Sequence, residues 1–208
     1  MGQRSKAGQT SCRLFYPGRL RLRPFIGRTA LCGFAILSTI GGAWGQGGSQ
    51  TCAQLLQAQD TKAVTTCKAE RDAAESAPAG ERMARIVAND EYGVALLGVA
   101  HKPKQSLEAF DSAVALLPAS TVKPDSLQWG VIFWHRATAY QQLQEWERTA
   151  ADLRTAENTF TAAIASAGDD VALAEHFREL RQRMRKQHAD ALEHEGKHRE
   201  AQQLLATQ

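Results

Sequence analysis

The sequence predicts an all-α protein: a stack of about four antiparallel helix pairs behind an N-terminal export segment. Three observations carry that expectation. Beyond Gly48, apolar residues recur at steps of three and four, the period of one helical face. Breakers at Pro78-Ala79-Gly80, Lys102-Pro103 and Pro118 through Pro124 cut the chain into helical lengths. The first 45 residues hold basic side chains, no Asp or Glu, and a concentrated apolar run. A length of 208 residues accommodates one domain with such a segment in front of it.

Arg4, Lys6, Arg13, Arg19, Arg21, Arg23 and Arg28 precede the run TALCGFAILSTI, and GGAWG follows before Gln46. A basic start, an apolar middle and small residues three and one before a cleavage point make a secretory signal. Residues 1–45 are therefore expected to be a cleaved signal peptide. The 17 uncharged residues from Thr29 to Gly45 include several glycines and are short for a spanning helix. An uncleaved anchor, which would make the protein a membrane-tethered assembly factor, is the alternative. Cleavage also changes the charge. The whole chain carries +3, but residues beyond Gly45 keep 18 of its 25 cations and all 22 anions, a net of −4. A mildly acidic chain lacks the field that attracts nucleic acid, and after cleavage no membrane contact is expected. The expected location is the periplasm of a Gram-negative cell, or otherwise outside the cell.

Residues 50–58 and 61–75 read as the first pair, with Asp60 as a good N-cap for the second helix. Cys52 and Cys67 are the cysteines that survive cleavage, and they lie equidistant from that turn. Equidistant positions of an antiparallel pair face each other, so the spacing suits a disulfide in an oxidising compartment. Two buried free thiols are the other reading. The second pair is 81–101 with 104–117. The third is 126–143 with 145–166, where Trp129, Ile132, Phe133, Ala137, Tyr140 and Leu143 share one stripe. Trp146, Ala150, Leu153, Ala156, Phe160 and Ile164 share the next. The fourth is 170–194 with 197–206, opened by Gly168-Asp169-Asp170 as a cap. Every helix is amphipathic, so each pair must stack on its neighbours to bury its apolar face.

Stacked pairs usually descend from a repeat, and one is present. In WHRATAYQQLQEWERTAADLRTAE, Ala137, Tyr140, Leu143, Trp146, Leu153 and Ala156 stand in the order and spacing of a tetratricopeptide repeat, which this stretch closely resembles. SLEAFDSAVALLP resembles the second half of such a repeat through Ser106, Phe110, Ala113 and Pro118. Its first helix fits less well, because Gly98 is displaced and Pro103 falls in the turn. ADALEHEGKHREAQQLLA repeats the theme with Ala189, Leu192, Gly196, Ala201 and Leu205, and Ala63 and Cys67 keep the spacing in the first pair. The resemblance covers roughly residues 50–206, within one domain expected at 46–208, and implies a right-handed α-solenoid that binds a peptide or protein.

HEGKHREA contains His194-Glu195-x-x-His198, the letters of a zinc hydrolase. That chemistry needs both imidazoles on one helical face, and Gly196 falls where the repeat turns. The residues are expected to be separated by a turn, leaving a zinc-dependent hydrolase as the competing class. No other catalytic pattern, metal site or cofactor motif is legible, and His135, His176 and His188 are scattered. Two features are candidates for binding. By resemblance the first helix of each pair lines the concave face, and Trp134 lies about 100° off the core stripe. Trp134, Thr138, Gln141 and Gln142 are therefore expected to form a groove with one aromatic anchor. FRELRQRMRK brings Arg178, Arg181 and Arg185 to one face, with Glu179 placed to pair with Arg183. The expected function is a non-enzymatic scaffold that docks a protein or peptide, the arginines contributing if that partner is acidic.

Overall fold

The computed structural model describes residues 50–78, 81–117 and 127–206. The export segment expected at 1–45 lies outside them. Among the described residues all regular structure is helical, in eight α-helices. In chain order these are α1 (Cys52–Gln57), α2 (Ala63–Ser76), α3 (Arg82–Val94), α4 (Pro103–Leu116), α5 (Leu127–Gln142), α6 (Trp146–Ser166), α7 (Val171–His194) and α8 (His198–Ala206). A π-helical segment, Ala95–Val99, continues α3. None of these helices is long and apolar enough to cross a membrane. Each helix packs on its sequence neighbours, most extensively α6 against α5 and α7.

Most ends follow local chemistry. Thr51 and Gln54 form a capping box at the start of α1. The N-cap of α2 is Lys62 rather than the expected Asp60, whose carboxylate accepts the Lys62 N–H at 2.8 Å in the turn before the helix. Asp170 caps α7 by accepting the Leu173 N–H at 3.0 Å. Pro103 opens α4, where its missing N–H costs nothing.

The turns inside the pairs share one geometry. The N–H groups of Asp60, Glu145 and Lys197 donate to the carbonyls of Leu55, Tyr140 and Leu192 at 2.9, 3.0 and 2.9 Å. The residue before each donor is left-handed: Gln59 at φ 53°, Gln144 at 61° and Gly196 at 76°. This is the Schellman ending, which satisfies the last carbonyls and reverses the chain. In the second pair the bond spans one residue more. Lys102 donates to Leu96 at 2.8 Å, His101 is the left-handed residue at φ 55°, and Ala95–Val99 is wound wider. A π turn is how a helix absorbs one inserted residue.

That insertion explains the displaced glycine. Ala137 precedes Leu153 by 16 residues, whereas Gly93 precedes Phe110 by 17. Gly93 is buried, and a Cβ there would meet the Phe110 ring at 2.4 Å, so the two helices meet through its missing side chain. Gly98 is exposed with open space around it. The glycine at the crossing is Gly93, not a shifted Gly98.

The main core runs from α3 to α7 through Ile86, Ile132, Leu153, Phe160, Phe177 and Met184. A second cluster joins Leu55, Leu56, Val94, Leu97 and Phe110 around the disulfide Cys52–Cys67, whose Cα atoms lie 4.8 Å apart. Both cysteines are fully buried. With six residues α1 is too short to be stable alone, so the crosslink and the α2 and α3 contacts hold it. Changing both cysteines to alanine is expected to cost about 3 kcal/mol for a loop of this length, read by urea denaturation. A loss below about 1 kcal/mol would show that packing alone retains α1.

Candidate interaction surfaces

Trp134, Thr138 and Gln141 do converge, but on a side chain of this chain. The Trp134 indole N–H donates to Gln187 Oε1 at 2.9 Å. The Gln187 amide donates to Gln141 Oε1 at 2.6 Å and to Thr138 Oγ1 at 3.4 Å. Trp134 is 8% exposed and belongs to the main core, so it is not an open anchor. Gln142 is exposed and stands apart from this network. The open groove expected at Trp134 is therefore closed, by Gln187 of α7. Read as one helix, α5 carries Trp134 off its stripe, but α7 supplies a second burying surface on that side. Gln187 closes the gap from 53 residues away, and nothing in the local pattern announces it.

The arginine run on α7 faces outward. Arg178 pairs with Glu175 at 3.0 Å, while Glu179 and Arg183, expected to pair, form no ion pair with each other among the described residues. Arg181 donates to Thr161 Oγ1 at 3.3 Å, and half-buried Arg185 reaches Glu157 at 3.5 Å. Beside that contact His188 Nδ1 meets Glu157 at 2.7 Å, with both residues buried. Arg178, Arg181, Arg185 and Lys186 line one surface cavity of about 200 Å³ together with Glu175, Glu179, Gln182 and, from α8, Leu205.

His194 ends α7 and His198 opens α8, with Gly196 in the turn between them. The imidazoles thus leave different helices. His194 stacks on Trp146 at 4.0 Å, His198 pairs with Glu193, and Glu195 pairs with Lys197 at 2.8 Å. This is not the one-face arrangement a zinc hydrolase requires. His135 is paired with buried Asp90 at 2.9 Å.

One cluster has no counterpart in the sequence reading. Donor atoms of Cys52, Glu70 and Glu91 lie within 4.8 Å of one another. The Cys52 sulfur is committed to the disulfide, and Glu70 accepts the Cys52 N–H at 2.9 Å. Burial, then the negative charges of Glu70 and Asp90, push the Glu91 carboxyl from 4.5 up to about 8. The folded state therefore binds a proton that the unfolded chain releases near pH 4.5. This stabilisation is complete below pH 4.5 and is lost as pH rises through about 8. The melting temperature should fall between pH 5 and pH 8 by an amount that Glu91→Gln removes. A variant with the same pH slope as the parent would show that the proton is held elsewhere. No spacing flags this pair, because the carboxylates come from different helices, α2 and α3.

Among the described residues the protein is all-helical, its adjacent helices packed on one another, with a cavity of net positive lining on α7. No family model, curated protein or solved structure matches the chain.

Proposed function

We propose that the protein is a non-enzymatic interaction module of the tetratricopeptide type, exported from the cytoplasm, that docks a segment of another protein. The observation that carries the proposal is the α7 cavity. It gathers Arg178, Arg181, Arg185 and Lys186 in a chain that is net −4 beyond Gly45. Membership in that repeat class is supported by three turns of identical hydrogen bonding and by the close Gly93–Phe110 approach. Export is supported by the residue pattern of 1–45 and is compatible with a buried disulfide.

The test is crosslinking followed by affinity capture from the exported fraction, with the intact mass of the recovered chain read in parallel. A stoichiometric protein partner and a mass lacking residues 1–45 are expected. Retention of those residues would favour the anchored form. Absence of any protein partner, with stoichiometric zinc lost on His194→Ala, would replace the module reading with the hydrolase.

A further inference from the structure

α7 is far longer than the helix paired with it. It has 24 residues and α8 has nine, so at a rise of about 1.5 Å per residue roughly 20 Å of α7 extends past the tip of α8. Under α8 the α7 surface is apolar, with Ala189 and Leu192 packed against Ala201 and Leu204. The same helical track continues toward the α7 N-terminus as Lys186, Gln182, Arg178 and Glu175. The cavity begins where α8 ends, with Leu205 on its border and 44% exposed. A helical track that is first filled by an amphipathic helix and then left uncovered by the described residues defines the shape of what could extend it.

We infer that this track takes an acidic amphipathic helix of a partner protein, laid along α7 in line with α8 over about four turns. The inference rests on the module reading above and names its partner. Charge selects the sign. Among the described residues Lys186 and Arg183 are exposed on α7 without an ion pair, and Arg178 pairs with a solvent-exposed glutamate that a partner carboxylate can displace. These cations stand out because the residues beyond Gly45 carry a net charge of −4. Glu175 and Glu179 also line the cavity, which disfavours the continuous negative charge of a nucleic-acid backbone and favours the discrete carboxylates of a protein helix. Leu205 supplies the apolar contact at the α8 end, where the incoming helix meets a side chain already half out of solvent.

The probe is a fluorescein-labelled helical peptide of about 15 residues, glutamates on one face and leucines on the other, titrated against the full chain by anisotropy. Saturable binding that weakens with salt is expected. Arg178→Glu with Lys186→Glu should weaken it about ten-fold or more, and Leu205→Glu should weaken it in its own right. Lys104→Glu with Arg154→Glu, the same charge change at exposed positions on α4 and α6, should leave the affinity within about two-fold. Equal losses in the two reversal pairs would reduce the effect to net charge and overturn the inference. Preference for a single-stranded oligonucleotide of equal charge would overturn it in favour of nucleic acid. Self-association abolished by Arg178→Glu would overturn it in favour of a second copy. Partner capture from the exported fraction that survives the α7 reversals would overturn the track while leaving the module reading intact.

Discussion

Trp134→Ala is expected to destabilise the protein by about 3–5 kcal/mol, the range for removing a buried tryptophan. The indole sits at 8% exposure in the core shared by α3 through α7. Truncation leaves a cavity between α5 and α7 and strips Gln187 Oε1 of its 2.9 Å donor. Trp134→Phe should cost less, since it keeps most of the volume and loses mainly the indole hydrogen bond. Chemical denaturation followed by circular dichroism measures both. An alanine variant that melted like the parent while losing partner capture would instead restore Trp134 as a surface anchor.

Asp152→Ala is the second large effect, again about 3–5 kcal/mol, because it strands a largely buried cation. Arg136 donates through Nε and Nη2 to the two Asp152 oxygens at 2.8 Å each, in a bidentate fork. Its third nitrogen reaches exposed Asp111 at 2.8 Å, and the guanidinium lies 5.1 Å from the Phe133 ring centre. Asp111 alone, open to solvent, does not replace a buried bidentate partner. Arg136→Met with Asp152→Leu should recover most of the loss, since it removes both desolvated charges together. Should the double variant prove as unstable as Asp152→Ala, packing rather than the stranded charge would account for the cost. Arg136→Lys should fall between parent and alanine variant, because an ammonium cannot reproduce the fork.

The helices were legible because burial on one face leaves a period in the residues. The expected spans 126–143, 145–166, 170–194 and 197–206 lie within one residue of α5 through α8 at each end. The facing of Cys52 and Cys67 was legible for a related reason: a short turn makes residues equidistant from it neighbours. Gly196 signalled its turn, as the residue that adopts positive φ without strain. Gln59, His101 and Gln144 take the same conformation with no such signal, held there by the Schellman bonds and the packing around them. The arginine stripe was legible as one face of α7, but not as the wall of a cavity.

What the sequence determined by itself is whatever depends on residues within a few turns of one another: helix type and extent, the Asp170 cap, the facing cysteines, and the break through His194-Glu195-x-x-His198. What only the tertiary structure decided is which faces are covered. The burial of Trp134 depends on α7 and its Gln187, and the proton held at Glu91 depends first on burial and then on the charge of Glu70 in another helix. The one-residue π insertion moved the crossing glycine to Gly93, and the length difference between α7 and α8 leaves the cationic track uncovered among the described residues. A helical wheel records the direction in which a side chain points. Whether water or another helix occupies that direction depends on chain brought back from tens of residues away, and the local pattern of one helix does not contain it.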